Sequence, residues 1–210
     1  MSNLLQIAVL IGSSRPTRIG PHVAKWLAST LESDEELLDA RFSIVDVTRF
    51  DLPSFNEPVP PRAVENLDQF THSATRAWNK EIAKYDGYII LSPEYNQGIP
   101  GALKNALDFL HHAWFGKPAM IVTYGTFGGS HACHQLRQVL TGGIGVKVID
   151  VAPQLEFPGR DERKHNTSPA LSQALIGTVT KDTLGFWKEN NAREIIDGAR
   201  ELLRLAKEAR

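Results

Sequence analysis

Three short stretches of the chain gather the side chains that could do chemistry. Gly12–Ser13–Ser14–Arg15–Pro16–Thr17–Arg18–Ile19–Gly20 holds three hydroxyls and two guanidiniums, the donors that charge-assisted binding of a phosphate needs. Ser92–Pro93–Glu94–Tyr95–Asn96–Gln97–Gly98–Ile99–Pro100–Gly101 carries a carboxylate, an aromatic ring and two amides between stiffening prolines. The backbone of such a loop can address the edge of a planar heterocycle, with Asn96 adding an amide and Tyr95 packing on or beside the ring. The third stretch, Gly125–Thr126–Phe127–Gly128–Gly129–Ser130, has glycines that let backbone approach a ligand closely. Each also has a plain reading: a polar loop with a serine cap, a tight strand-to-helix turn over the core, and a simple glycine turn. The first has the spacing of neither a P-loop nor a G-x-G-x-x-G fingerprint.

Other reactive residues do not assemble into a set. His131, Cys133 and His134 lie close together and His111 and His112 elsewhere, with no second cysteine or flanking carboxylate, so no metal site is expected. Nothing lowers the pKa of Cys133 in a way that would mark a nucleophile.

The elements that must position these stretches follow from hydrophobic periodicity. Residues 5–11 and 87–91 are nearly continuous apolar runs, the pattern of strands buried on both faces. Strands are also expected at 42–47, 118–124 and 146–151. Helical spacing places Val23, Trp26, Leu27, Thr30 and Leu31 on the buried face of a helix starting near Pro21. Further helices are expected over 64–84, 102–112 and 132–140. In the helix over 64–84, Leu67, Phe70, Ala74, Ala77, Trp78 and Ile82 face inward. Residues 52–61 contain four prolines and cannot be regular structure. Residues 153–166 read as an irregular excursion, 171–179 as a short helix, and 193–207 as a closing amphipathic helix. Phe109, Leu110, Trp114 and Phe115 offer more apolar surface than one helix face needs, so either a core or an interface between copies can take them.

Alternation of strand and helix gives a three-layer α/β/α domain spanning residues 1–210, with a less regular excursion at 153–191. Right-handed crossovers leave few topologies, and five parallel strands in the flavodoxin-like order 2-1-3-4-5 fit best. In that order the carboxyl ends of strands 1, 3 and 4 deliver residues 12–20, 93–101 and 125–130 to one crevice. This union of composition and topology is the main reason to expect a site.

Composition narrows the function classes. The net charge of −1 over 210 residues favours neither a nucleic-acid nor a membrane-surface partner, and it disfavours a strongly acidic electron carrier. The single cysteine excludes an intrachain disulfide framework. No apolar run reaches the roughly 18 residues of a membrane span. Met1–Ser2–Asn3 lacks a basic leader and runs into the first strand, so a cytoplasmic protein without a signal peptide is expected.

The motifs G-S-S-R at 12–15, S-P-E-Y-N at 92–96, P-G-A-L-K-N-A-L-D at 100–108 and the glycines of 125–129 resemble the NADPH-dependent FMN reductase family. That family includes bacterial chromate and quinone reductases and FMN-dependent azoreductases. The resemblance runs from about Ile7 to Val151. It implies a flavodoxin-like fold, bound FMN, and NADPH or NADH as co-substrate. By matching positions, Ser13, Arg15 and Arg18 hold the FMN phosphate, with Ile19 and Gly20 giving backbone contacts. Pro93, Glu94, Tyr95, Asn96 and Gly98 line the isoalloxazine, and Gly125, Thr126 and Gly128 close the other side. The loop departs from the family's small serine- or asparagine-rich form at Pro16–Pro21, which separates Arg18 from Arg15. No protein group need be catalytic, because flavin N5 carries the hydride chemistry. Electrons then pass to a small-molecule acceptor (quinone, azo dye, flavin or metal ion) in ping-pong order. The resemblance also implies a homodimer or homotetramer. Two other classes stay open on the residues alone: a flavin-binding electron carrier or redox-sensing module with little turnover, and a domain for another phosphorylated ligand.

Overall fold

A computed structural model of the chain describes residues 4–161, 163 and 167–210. The expected leader-free start at Met1–Asn3 and the end of the excursion at Asn166 lie outside the described residues. The strands are β1 (Leu5–Ile11), β2 (Ala40–Asp46), β3 (Gly87–Pro93), β4 (Pro118–Gly125), β5 (Lys147–Val148) and β6 (Gln154–Glu156). They pair in parallel in the order β2-β1-β3-β4-β5, and β6 also pairs with β4. The helices are α1 (Gly20–Glu32), α2 (Ser73–Ala83), α3 (Gly101–Asp108), α4 (Ser130–Val139), α5 (Pro169–Leu175) and α6 (Lys181–Glu208).

The period-2 alternation of strands sorts the core into two halves. Ile7, Val9, Ile11, Ile89, Leu91, Met120 and Val122 pack with α1 and α6 on one face. Ala8, Leu10, Tyr88, Ile90, Ala119 and Ile121 pack with α2, α3 and α4 on the other. The three-layer arrangement therefore follows from strands that are apolar on both sides.

Several boundaries differ from the sequence expectation, each for a local reason. The helix expected over 64–84 begins only at Ser73. Upstream, Asn66 and Gln69 form a reciprocal capping box around a single short turn, and the buried Glu57 carboxylate accepts from the amides of Thr71 and His72 just ahead of α2. Ala77 is exposed, and α2 buries the polar Thr75 and Asn79 in place of a purely apolar stripe. The helix expected to reach 112 stops at Asp108. The strand expected over 146–151 is only Lys147–Val148. The chain then leaves the sheet and rejoins β4 further along as β6, where the Pro153 carbonyl accepts from Thr123. Part of the expected excursion is thus a strand. The closing helix starts at Lys181, twelve residues ahead of the expected Arg193, with the Thr180 hydroxyl accepting from the Thr183 amide as its cap.

The surplus aromatics are accounted for within the chain. Phe109, Leu110 and Trp114 are buried, and only Phe115 is exposed. Trp187 is fully buried. It donates from Nε1 to the Glu156 carbonyl at 2.6 Å and packs against Trp26 and Phe157 at 5.7 Å between ring centroids. In this way α6 fixes β6 and the residue after it, Phe157, against the sheet.

Candidate functional site

The register Ile11↔Leu91 and Pro93↔Tyr124 brings the ends of β1, β3 and β4 to one edge of the sheet. The loops at 12–20, 93–101 and 125–130 leave from that edge. A crevice of about 190 Å³ lies between them, lined by Arg15, Thr17, Arg18, Ile19, Pro93, Glu94, Tyr95, Tyr124, Gly125, Thr126, Phe157, Leu171, Ala174 and Leu175. The expected convergence is therefore present. Of the thirteen residues expected to bind a cofactor, Arg15, Arg18, Ile19, Pro93, Glu94, Tyr95, Gly125 and Thr126 line it. Ser13, Gly20, Asn96, Gly98 and Gly128 stand behind or beside it.

The first loop divides its two arginines. Arg18 donates to both carboxylate oxygens of Asp46, at 2.9 and 2.6 Å, and also to the Ser13 carbonyl and the Thr48 hydroxyl. It fastens the loop to the end of β2. Burial pushes the Asp46 carboxyl up, but the hydrogen bonds from Arg18 and Thr48 outweigh it and hold the pKa below the ordinary 3.8. Arg15 is exposed and donates to the Thr17 hydroxyl and the Leu175 carbonyl. It has no carboxylate partner among the described residues, so its charge is free to meet an anion. Helix α1 begins alongside with no side-chain cap and no acid in its first turn; Pro21 has no N–H and the His22 and Val23 amides donate to the Ile19 carbonyl, so the helix start offers negative charge the positive end of its dipole rather than a row of free amides. Ser13 is fully buried. A Cβ on Gly20 would come within 2.2 Å of its Oγ and 3.2 Å of the Tyr124 hydroxyl, so Gly20 is what lets the loop close over β4.

The second loop is a two-residue hairpin turn. Tyr95 and Gly98 exchange backbone hydrogen bonds at 2.9 and 3.1 Å. Asn96 and Gln97 between them both have positive φ, 49° and 60°, the mirror-image turn that favours Asn and Gly. Gln135 of α4 braces it by accepting from the Ile99 amide at 2.8 Å. Glu94 accepts from the His131 and Ala132 amides at 2.9 and 3.3 Å, so its carboxylate caps α4 while its stem borders the crevice. In the third loop Gly128 and Gly129 have φ of 66° and 80°, and Thr123 donates to the Gly128 carbonyl at 2.7 Å.

Two tyrosines face the crevice as neutral donors. Burial pushes the Tyr124 phenol well above its ordinary pKa, and Ser13 and the Arg18 and Arg15 charges only partly offset it. Burial likewise raises Tyr95, with Arg15 pulling partway back. Tyr124, Phe157, Leu171, Ala174 and Leu175 were not singled out by the sequence. Tyr124 carried a usable signal, since it ends an apolar strand directly before a glycine loop. The other four come from the C-terminal third, where only the fold reveals proximity.

A parallel α/β sheet whose β1, β3 and β4 loops meet at its topological switch point, beside the exposed Arg15 and the start of α1, defines a doubly wound domain of the kind that binds ligands at that edge. Residues 5–157 match the NADPH-dependent FMN reductase family, and the chain belongs to it. It is accordingly an oxidoreductase whose family uses FMN as cofactor and NAD(P)H as co-substrate. The NAD(P)H-dependent FMN reductase LOT6 of Saccharomyces cerevisiae is 35% identical over 170 residues, covering 72% of this chain and 89% of its own. The NAD(P)H-dependent FMN reductase ntnL of a Nectria species is 34% identical over 209 residues, 98% of this chain and all of its own. A quinone reductase of Escherichia coli is 34% identical over 67% of this chain and 71% of its own. Among solved structures, the flavoenzyme FerB of Paracoccus denitrificans superposes with a TM-score of 0.62 at 20% identity, over 94% of this chain and 98% of that one, a likeness of fold.

The described residues suit FMN. Arg15 and the positive end of α1 match a phosphate, and Pro93, Tyr95, Gly125 and Thr126 line the crevice where a planar ring would lie. No group of three or more metal-ligating side chains occurs among the described residues, and no helix among them is long and apolar enough to cross a membrane.

Proposed function

We propose that the chain holds FMN in this crevice and passes electrons from NAD(P)H to small-molecule acceptors such as quinones, azo dyes, free flavins or oxidised metal ions. The observation that carries the reading is Arg15: a guanidinium held over the crevice by Thr17 and Leu175 with no carboxylate partner among the described residues. Arg15, Ile19 and the positive end of α1 take the phosphate. Pro93, Tyr95, Gly125 and Thr126 take the ring, and Glu94 borders it while its carboxylate caps α4. Ser13, Arg18, Gly20 and Gly128 hold the loops in shape.

Bound FMN supplies the two-electron chemistry that the side chains of this site lack. The chain's part is to bind, orient and shield. Backbone donors of the 125–129 loop, whose Gly125 and Thr126 line the crevice, would face developing negative charge. The neutral Tyr95 and Tyr124 hydroxyls add donors without charge. Phe157 and Leu171 exclude water from one side. No acid or base of the protein is needed. With FMN filling the crevice, one exposed face is left for nicotinamide and acceptor to visit in turn, and ping-pong kinetics would follow. The narrow crevice and the exposed Phe115, Phe127, Leu175 and Ile176 support self-association into a dimer or tetramer, each chain acting as one domain. Dependence on NAD(P)H supports action in the cytoplasm.

Initial-rate measurements with NADPH and NADH against a quinone, an azo dye, ferric ion and FMN test the proposal. Parallel double-reciprocal lines with at least one acceptor are expected. Turnover absent with every acceptor, in protein that retains FMN, would overturn it in favour of an electron carrier.

A further inference from the structure

Two side chains meet on the rim of the crevice without lining it. Thr126 lines one wall, and Phe127 follows it in the chain. Phe157 lines another wall, and Arg160 lies three residues further on. The Arg160 guanidinium stands over the Phe127 ring, 4.7 Å from its centroid. The pair therefore joins the β4–α4 loop to the segment that follows β6, across two walls of one crevice. Phe127 is 48% exposed, and Arg160 is exposed beside it.

The backbone fixes Arg160 from both sides. Gly159 before it takes a φ of 72°, a left-handed turn that glycine adopts at no steric cost. Asp161 after it donates its amide to the Thr167 carbonyl at 3.1 Å, in an antiparallel bridge. Ser168 then caps α5 through the Leu171 amide, and α5 returns to the crevice at Leu171 and Leu175. The arginine thus stands on a loop that leaves one part of the crevice wall and comes back as another.

Its charge has no counter-charge. Arg18 is paired with Asp46, and Arg15 stands over the crevice where the FMN phosphate is placed. Arg160 has no carboxylate within ion-pair distance among the described residues, and its contact is the Phe127 ring. The adjacent Asp161 carboxylate accepts from the Arg163 amide at 3.0 Å rather than from Arg160. A guanidinium fork with free N–H donors matches a phosphate bidentately. NADPH and NADH differ by one phosphate, on the 2′-oxygen of the adenosine ribose. With FMN in the crevice and the nicotinamide against it, the adenosine end lies outside, on the rim.

We propose that Arg160, steadied by the Phe127 ring, binds the 2′-phosphate of NADPH and makes NADPH the preferred co-substrate over NADH. The inference rests on the reading that NAD(P)H reduces FMN in this crevice.

The test pairs kinetics with calorimetry on FMN-loaded protein. Wild type should show a higher kcat/KM for NADPH than for NADH. Arg160→Gln should lower that ratio about tenfold, the effect of losing one charge-assisted contact, through the KM for NADPH rather than kcat. Arg160→Lys keeps the charge and loses the fork, so its ratio should fall between the two. Phe127→Leu removes the ring and should lower the ratio about two- to fivefold. The preference should shrink as ionic strength rises, because the rim is open to solvent. Calorimetric titration with adenosine 2′,5′-bisphosphate and adenosine 5′-monophosphate reads the contact without turnover. Wild type should bind the bisphosphate about tenfold more tightly, and Arg160→Gln should bind both alike. If neither nucleotide is oxidised, the reading of the crevice fails, and these titrations still decide the role of Arg160. Equal use of NADPH and NADH by wild type, an unchanged ratio in Arg160→Gln, or equal binding of the two adenosine phosphates by wild type would overturn the proposal.

Discussion

The two arginines of the β1–α1 loop should separate cleanly on mutation. In the Arg18–Asp46 pair the side chains are 17% and 12% exposed, between a surface pair and a buried one. Exposed pairs contribute up to about 1 kcal/mol, and breaking a buried one costs about 3–5 kcal/mol. Arg18→Ala leaves Asp46 with only the Thr48 amide and hydroxyl, so a loss of about 2 kcal/mol is expected. For a domain of this size that corresponds to a fall of about 4–8 °C in Tm. Arg15→Ala loses only exposed bonds, so the apoprotein's Tm should move by less than about 2 °C. It also loses a charge-assisted contact of about 1.5–3 kcal/mol to the phosphate, which raises the FMN Kd by about 10- to 100-fold. Thermal melts of the apoprotein and titration of FMN fluorescence read the two effects separately. Unchanged FMN affinity in Arg15→Ala, or an unchanged apoprotein Tm in Arg18→Ala, would refute the division of roles.

Other outcomes follow from the same geometry. The folded pKa of Asp46 lies below its ordinary 3.8, so its ion pair stabilises the fold above that pH and is lost as pH falls through the folded value. The stability gap between wild type and Arg18→Ala in urea melts should therefore be full at neutral pH and narrow below about pH 4; a gap that widens there would contradict it. Glu94→Gln weakens the α4 cap and should lower Tm by about 1–4 °C with FMN retained, whereas loss of FMN at unchanged Tm would place Glu94 on the ring. Asn96→Ala puts a less tolerant residue at φ 49° and removes an amide, so FMN binding should weaken by about tenfold. Gly129→Ala puts a Cβ 2.9 Å from the Thr123 Cβ at φ 80°, and circular dichroism melts should show a loss of about 1–3 kcal/mol.

Much of the fold was legible because strands buried on both faces announce themselves. The runs at 5–11, 87–91 and 118–124 and the glycine joints after them imply the sheet order and the meeting of the three loops. Elements decided by side-chain caps were less legible. The start of α2 depends on Glu57, sixteen residues upstream in the chain, and no periodicity encodes it. β5 and β6 are two and three residues long, too short for a pattern to register. Within the site, Arg15, Tyr95 and Gly125 could be read from type and position. Ser13 and Arg18 could be read only as donors, because what they face depends on Asp46 and Gly20. Tyr95–Gly98 was visible as a busy joint, but its mirror-image turn needed the backbone angles. Phe157, Leu171 and Ala174 reach the crevice by packing in one cluster with Trp187 of α6, a tertiary route that leaves no local mark.

The central claim is that the three loops hold an FMN that NAD(P)H can reduce. Anaerobic stopped-flow mixing of the FMN-reconstituted protein with NADPH, and separately NADH, tests it most directly. The account predicts single-turnover bleaching of the bound flavin with at least one of the two, and a shortfall in bleached flavin for Arg15→Ala that excess FMN restores. A protein that binds FMN yet shows no bleaching with either nucleotide would contradict it.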